Sequence, residues 1–319
     1  MPNTQTSRGY IVALVASLAL STTAVFIRYL TETYQLPALV LAFWRAVFVT
    51  LTVLAFLLLA KPHLLKQGLL HLKYLFIYGF VLAVFNSFWT LSVALNGAGI
   101  ATVLAYSSAG FTALLGWWLL KEKLGWVKVL AVILSLGGCV LVSGALDASL
   151  RQANPVGIFT GTLTGLFYAA YSLMGRSAAQ RGLDPWTTLL YTFAFDALFL
   201  LIFNLVSGGV IPGAASRLFD LLWLGNAWEG WGVLFLLAAG PTVAGFWLYN
   251  TSLSLLPSSV ANLILTTEPV FTAMIAFIFL GERLAWVQIG GGSLILLGVV
   301  FLRVFEDKAK GSVPEDALV

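Results

Sequence analysis

Apolar segments of about 20 residues recur along the whole chain, separated by short connections that carry glycine, proline or charge. Since a helix needs roughly 20 apolar residues to cross the hydrocarbon core of a bilayer, each segment predicts one transmembrane helix. Only 9% of the 319 residues are charged, whereas about a quarter is typical of soluble domains. We therefore predict an all-α integral membrane protein of ten spans, at residues 9–29, 37–60, 73–95, 99–120, 125–145, 155–177, 185–207, 232–253, 258–280 and 284–304.

The chain contains an internal repeat. The stretch from Phe111 to Val127 aligns without gaps on the stretch from Phe271 to Val287, with every number raised by 160. Earlier in each half a weaker match keeps an offset of 148, and it pairs Gly9, Arg28 and Pro37 with Gly157, Arg176 and Pro185. The difference between the two offsets predicts an insertion in the long loop 208–231.

Five spans in each half give the two halves opposite orientations in the membrane. Such inverted repeats are characteristic of secondary transporters. The predicted organisation is an N-terminal cytoplasmic tail 1–8, a first repeat 9–150, a second, inverted repeat 151–304 and a C-terminal cytoplasmic tail 305–319. The tail from Glu306 is charged and is predicted to be disordered.

Basic residues are distributed unequally between the two sides of this predicted topology. Twelve of the seventeen Lys and Arg residues lie on the side that holds both termini, and four lie on the other side. Because cytoplasmic loops carry the excess of Lys and Arg, both termini are predicted to be cytoplasmic. The expected location is the plasma membrane, the inner membrane of a bacterium.

The segments around the ninth and tenth spans resemble a known family. The residues that carry the resemblance are Glu268-Pro269-Val270-Phe271, Leu280-Gly281-Glu282-Arg283-Leu284, Gln288-Ile289-Gly290 and Gly298-Val299, together with Pro37 and Arg45 in the second span. They are similar to the EamA family of the drug/metabolite transporter superfamily. The resemblance implies a ten-helix basket in which helices 3, 4, 8 and 9 surround a central cavity, with helices 1 and 6 contributing. It also implies export of amino acids or related metabolites.

Glu268 lies near the middle of a predicted span. It lies ten residues into the ninth span, about 15 Å along the helix. Pro269 beside it leaves the carbonyl of Leu265 without an amide donor, so we expect a kink that serves as a hinge. Acids inside a membrane are candidates for function. Glu268 could bind a substrate amine or a proton, or it could be a hydrogen-bonded acid that helps the kink.

Aromatic and hydroxyl side chains on several helices complete the predicted substrate site. Tyr78, Leu82, Phe85 and Trp89 share one face of the third span, with Asn86 adjoining. Such residues can line a partly apolar cavity for a small amphiphilic solute, although membrane tryptophans and tyrosines also mark the lipid interface. The predicted substrate-binding set is Tyr78, Asn86, Trp89, Tyr106, Ser107, Tyr168, Tyr171, Tyr249, Asn250, Thr266 and Glu268.

The other charges inside or between spans are assigned structural roles. Arg45 is interpreted as an anchor or ion-pair partner, with binding of a substrate carboxylate as the alternative, and Asp196 as a buried hydrogen-bonding group. Glu122 and Glu282 recur at matching turns, which favours capping of the next helix or pairing with a nearby base. The segment from Arg217 to Trp231 is predicted to form an amphipathic helix at the outer surface.

The predicted function is a secondary transporter that exports small metabolites by alternating access. The expected substrates are amino acids, in particular aromatic or other hydrophobic ones, and proton exchange through Glu268 is a further hypothesis. A transporter of sugar phosphates, nucleotide sugars or other metabolites is the alternative, although helices 3, 4, 8 and 9 carry Lys only at their ends. A channel-like or scaffold membrane protein is the alternative from another class.

Enzymatic activity is not expected, because the predicted spans contain no histidine and only Cys139 as a thiol. The expected partners are a small-molecule substrate and the lipid bilayer, and nucleic acid is excluded. The sequence points to no cofactor or metal site, and the oligomeric state stays open.

Overall fold

The structure of the protein is a computed structural model that describes residues 4–142, 154–206, 210–211, 213–280 and 286–311. Throughout these ranges the regular structure is helical, and they contain no strand. In chain order the helices are α1 (Thr4–Ser21), α2 (Thr23–Thr33), α3 (Ala38–Ala60), α4 (His63–Leu70), α5 (Leu72–Tyr106), α6 (Ser108–Leu119), α7 (Trp126–Val142), α8 (Pro155–Gln180), α9 (Pro185–Val206), α10 (Trp228–Leu237), α11 (Val243–Leu255), α12 (Ser258–Leu265), α13 (Glu268–Leu280) and α14 (Trp286–Gly311).

Six helical stretches of the described residues are long and apolar enough to cross a membrane. Two shorter apolar helices, Trp126–Leu141 and Ile289–Leu302, add to them. Large apolar side chains point away from the protein, and Leu59 and Trp286 are 89% and 87% exposed. A surface of this kind needs lipid as its solvent, so the chain is a multi-pass membrane protein. The count of ten spans stays a prediction. The six stretches are Gln5–Thr33, Ala38–Ala60, Leu72–Ser92, Pro155–Gln180, Pro185–Val206 and Trp228–Leu255.

Helix α5 turns back on itself between Ser92 and Leu104 while remaining one helical element. This stretch contains Gly97 and Gly99, where the sequence predicts a turn. A Cβ added to Gly161 of α8 would lie 2.7 Å from Ser92 Oγ and 2.5 Å from Leu104 Cδ1. A straight helix would separate residues 92 and 104 by about 18 Å. Both residues can meet Gly161 only if the chain turns back between them. The predicted boundary between the third and fourth spans therefore coincides with a reversal inside one helical element.

The span predicted at 258–280 is two helices. α12 ends at Leu265, Thr266 and Thr267 form a turn, and α13 begins at Glu268. Pro269 thus lies in the first turn of a helix, a position at which proline is tolerated. The interruption falls at the predicted hinge and places Glu268 at a helix start within the membrane.

Helices extend into both predicted tails. α1 begins at Thr4, inside the predicted tail 1–8, and α14 continues to Gly311. The prediction of disorder from Glu306 is therefore wrong for residues 306–311, while residues 312–319 lie outside the described part. Lys, Glu and Ala are good helix formers, so the helix continues beyond the apolar stretch.

The predicted amphipathic helix in the insertion is also wrong. Among its described residues, the insertion forms a 3-10 turn, Leu218–Leu222, and then the start of α10 at Trp228. Side-chain bonds hold the chain around the 3-10 turn. Trp44 Nε1 donates to the Leu221 carbonyl at 2.6 Å, and Trp223 Nε1 donates to the Tyr34 carbonyl at 3.1 Å. These tryptophans satisfy carbonyls of irregular chain, which a hydrophobic periodicity alone cannot reveal. A π-helical turn, Ala238–Thr242, joins α10 to α11.

Glycine permits the close packing of α7 on α14. A Cβ added to Gly138 would lie 2.6 Å from the Gly291 carbonyl oxygen, whereas one added to Gly137 would come no closer than 3.6 Å, to Leu294. Both substitutions by alanine gain about 0.5–1 kcal/mol of helix propensity. Only Gly138→Ala also forces two backbones apart, at a cost of about 1–3 kcal/mol.

We therefore expect Gly138→Ala to lower the melting temperature of the purified protein in detergent and Gly137→Ala to leave it unchanged or raise it. Equal melting temperatures for the two variants would contradict this packing.

Candidate functional site

A buried network of hydroxyl and amide groups joins α6, α8, α11 and α12. Asn262 donates through Nδ2 to Ser172 Oγ at 3.0 Å and to Tyr249 Oη at 3.3 Å. Its Oδ1 accepts from Ser108 Oγ at 3.0 Å, and the Ser172 and Tyr249 hydroxyls are 2.7 Å apart. Ser108, Ser172, Tyr249 and Asn262 have no exposed surface or almost none. Four separate helices therefore direct polar groups to one point, where they satisfy one another.

Aromatic rings cover this polar network. Tyr168 stacks on Phe85 with ring centroids 5.0 Å apart and meets the edge of Tyr249 at 6.0 Å. Tyr171 lies parallel to Tyr249 at 6.4 Å and packs on Tyr78 at 4.8 Å. Rings in offset or edge contact stabilise each other, so α5, α8 and α11 present a continuous aromatic surface.

Glu268 lies next to this aromatic surface, beside Tyr168. The Tyr106 hydroxyl is a hydrogen-bond partner of the Glu268 carboxyl, and Tyr168 is close enough to interact with it electrostatically. Thr272, one turn further along α13, donates to the Glu268 carbonyl at 3.0 Å. The break between α12 and α13 therefore directs one acid towards tyrosines of α5 and α8.

A second polar group lies beyond Tyr171. The Tyr171 hydroxyl donates to Asn250 Oδ1 at 3.3 Å, and a Cβ added to Gly175 would lie 2.8 Å from Tyr78 Oη. Asn250 Nδ2 is buried and has no hydrogen-bond partner within the described part of the chain, whereas the Tyr78 hydroxyl interacts with that of Tyr171. The Asn250 amide is therefore free to bind a polar ligand or water.

Asn86, from the predicted substrate-binding set, belongs to a buried charged cluster. It accepts from Arg45 Nη2 at 2.9 Å and donates through Nδ2 to Asp196 Oδ2, also at 2.9 Å. Arg45 and Asp196 are 6% and 0% exposed. The amide thus bridges a buried cation and a buried anion from α3 and α9, as expected for structural partners.

Three more predicted residues lie apart from the central network. Trp89 packs against the apolar cluster around Ile27 and Leu30. The Ser107 hydroxyl donates to the Leu104 carbonyl at 2.5 Å, and the Thr266 hydroxyl donates to Leu263 at 2.6 Å. These hydroxyls serve their own helix ends, whereas the remaining predicted residues converge.

The EamA-like transporter family model matches the chain over residues 7–144 and again over 155–304. The chain belongs to this family. A relative in Synechocystis sp., an uncharacterized transporter, is 28% identical over 70% of this chain and 64% of its own length. A solved structure matches 95% of this chain and 99% of its own with a TM-score of 0.73 at 17% identity, which shows a shared fold. A 48-residue segment, 15% of this chain and 16% of the relative, is 38% identical to a probable terminal-alkyne amino-acid exporter of Streptantibioticus cattleyicolor.

In this member of the EamA-like family, sequence reasoning missed Asn262 as the centre of the polar network. An asparagine inside the apolar stretch Ser258–Leu265 is itself a signal, since a buried amide needs partners. Ser108 and Ser172 are absent from the predicted substrate-binding set. Their roles depend on which helices meet, and one sequence does not supply that.

The Tyr249 hydroxyl can be tested in this EamA-like protein by removing one oxygen. Tyr249→Phe leaves the ring contacts intact and removes a partner from both Ser172 and Asn262. A lost buried hydrogen bond costs about 1–3 kcal/mol when its partners stay unpaired. We expect a melting temperature several degrees below wild type, while Tyr34→Phe, at a partly exposed ring, is the control. A wild-type value for Tyr249→Phe would show that the network contributes nothing to stability.

One further acid of this EamA-like protein connects the two halves of the chain. The Glu122 carboxylate accepts from the backbone amide of Ser258 at 2.7 Å and that of Ser259 at 3.3 Å. It also accepts from both serine hydroxyls. Glu122 therefore caps α12, from the other half, rather than the next helix; Glu282 lies outside the described residues.

Proposed function

We propose that this chain is a secondary exporter of small metabolites, with amino acids, in particular aromatic or other hydrophobic ones, as the substrate class. The observation that carries the proposal is the Glu268 carboxyl beside Tyr106, next to a buried aromatic surface with a free Asn250 amide. A carboxyl complements an ammonium group, and the rings complement an apolar side chain. The relative that matches over 48 residues is named a probable terminal-alkyne amino-acid exporter, which supports this substrate class.

The proposed architecture is ten transmembrane helices in two inverted five-helix repeats. Two helix starts in the first half recur 160 positions later. α6 begins at Ser108 and α13 at Glu268, and likewise α7 begins at Trp126 and α14 at Trp286. Helices of one half pack on helices of the other: α3 on α9, α6 on α12 and α7 on α14. In the same way, α1 of the first half packs on α11 of the second, and α8 of the second half packs on α5 of the first. Halves related in this way can exchange conformations, which is the basis of alternating access.

In this proposal both termini face the cytoplasm and the protein resides in a bacterial inner membrane. The excess of Lys and Arg on one side supports the orientation. Phosphorylated substrates are disfavoured because they need cations near the site. Two buried cations already have partners: Arg45 donates to Asn86, and Lys128 donates to the Ser259 hydroxyl.

Counterflow in proteoliposomes tests the function directly. The purified protein is reconstituted, and exchange of labelled amino acids, nucleosides and sugars is measured. We expect saturable exchange of an amino acid and a decrease of about tenfold or more in Glu268→Gln, because a contact to a charged group is worth about 1.5–3 kcal/mol. Glu229→Gln, the same change in the first turn of α10, is the matched control.

Equal exchange by both variants would remove Glu268 from the site. The absence of exchange across the whole panel, in vesicles that hold folded protein, would reject the exporter of amino acids. Proton coupling is a separate element of the proposal: it requires that Glu268→Gln alter the pH profile of transport, and an unchanged profile would reject it.

A further inference from the structure

Two backbone carbonyls at the end of α12 lack their helical donors. Pro269 has no N–H, so it cannot donate to the Leu265 carbonyl. The Val270 amide donates to Thr267 at 3.0 Å and not to Thr266. Leu265 and Thr266 have no exposed surface. Because buried carbonyls are nearly always paired, these two oxygens are free to bind a ligand within the membrane.

The surroundings of these carbonyls supply further oxygen atoms and only a weak donor. The Thr266 carbonyl faces the Cys139 thiol at 4.0 Å, a long contact. The Thr267 hydroxyl donates back to Ile264 at 2.8 Å, and Ser17 Oγ of α1 lies 2.8 Å from it. Both hydroxyl oxygens keep lone pairs available, so the end of α12 is surrounded by acceptors.

The acid at this position has no cationic partner within the described part of the chain. Glu268 follows the two carbonyls directly, and the groups that interact with it are the Tyr106 and Tyr168 hydroxyls, neither of which is a cation. The carboxyl end of α12 adds the negative end of its helix dipole. Acids inside a membrane are paired or bind cations, and no basic side chain is found beside this one.

We propose that the interruption between α12 and α13 binds a sodium ion. The ligands are the carbonyl oxygens of Leu265 and Thr266 and the carboxylate of Glu268, with the Ser17 and Thr267 hydroxyls as the nearest additional oxygens. Carbonyls and carboxylates suit hard cations, and a single carboxylate matches a single positive charge. Carbonyls at interrupted membrane helices bind coupling ions in this manner.

This site refines the coupling step of the proposed exporter, although sodium binding itself does not depend on transport. Sodium and a proton compete for the same carboxylate, so sodium binding weakens as the pH falls. Glu268 would then bind sodium as well as a substrate amine or a proton. Pro269 would leave the Leu265 carbonyl without an amide donor, so that this oxygen can bind the ion.

Binding of ²²Na⁺ to the purified full-length chain in detergent, without substrate, tests the site. Scintillation proximity should show saturable binding that unlabelled NaCl displaces and choline chloride does not. Pro269→Ala supplies the missing N–H to the Leu265 carbonyl while keeping Glu268, and it should weaken binding at least tenfold. Glu268→Gln should do the same. Pro241→Ala, in the π-helical turn between α10 and α11, is the matched control and should bind as wild type.

Circular dichroism and gel filtration verify that each variant is folded, and Thr267→Val replaces any variant that is not. Wild-type binding by Pro269→Ala and Glu268→Gln would overturn the site. No ²²Na⁺ binding by a wild-type protein that performs counterflow would also overturn it and leave the exporter intact. Specific binding without counterflow of any solute would keep the site and reject the proposed function.

Discussion

Asp196→Ala is expected to lower the free energy of unfolding by about 3–5 kcal/mol, because it leaves Arg45 as an uncompensated buried charge. Asp196 accepts from Asn86, which in turn accepts from Arg45, and the three side chains come from α9, α5 and α3. Arg45 Nε and Asp196 Oδ1 already lack partners among the described residues, so nothing nearby can replace the lost carboxylate. Equilibrium unfolding in mixed detergent micelles measures the change.

The double variant Arg45→Met with Asp196→Leu provides the control for this prediction. Removing both charges together avoids the unpaired cation, and replacement of a buried ion pair by apolar groups is often neutral or stabilising. We therefore expect the double variant to be more stable than Asp196→Ala. If it is equally unstable, the charges are not energetically coupled and the cluster acts only through packing.

The helices that contain strong local signals were predictable from the sequence. Pro269 removes one amide donor at a known position, so a kink near Leu265 followed from covalent chemistry alone, whereas the division of the predicted span into α12 and α13 was not predicted. The turn at Gly97 and Gly99 was predicted from the turn preference of glycine, although α5 continues through these residues as one helical element. Local residue chemistry determines such features, and no knowledge of neighbouring helices is required.

The partners of each polar side chain were not predictable in the same way. Asn86 was assigned to the substrate site because it adjoins an aromatic face, but its partners are 41 and 110 positions away in sequence. Asn262 meets Ser108 and Ser172 across 154 and 90 positions. Helical periodicity gives the face of a residue, whereas the opposing helix depends on tertiary packing.

Trp89 illustrates a third kind of difficulty. A tryptophan near the end of a membrane span is compatible with a cavity and with an interface, because the ring is amphipathic. The structure packs it against apolar residues of α2 and the outer connections. Residue type alone could not distinguish these environments.

Glu122→Ala should reduce the free energy of unfolding by about 1.5–3 kcal/mol, the value of hydrogen bonds to a charged group. The carboxylate accepts from two backbone amides and two hydroxyls at the start of α12, whose N-cap residue Pro257 provides no side-chain cap. In the proposed topology this contact closes the cytoplasmic side of the transporter, since the connections 120–125 and 256–257 lie there. Its loss should therefore also favour a conformation that is open towards the cytoplasm.

Accessibility of Val260→Cys to a membrane-impermeant maleimide measures that opening, in a background with Cys139→Ala. Val260 has no exposed surface in the closed contact, so labelling should be slow and should accelerate severalfold when Glu122→Ala is added. Glu229→Ala, at an exposed acid in the first turn of α10, should leave the labelling rate unchanged. An unchanged rate in Glu122→Ala, together with reduced stability, would mean that the carboxylate stabilises α12 equally in both conformations. The acid would then cap the helix without taking part in alternating access.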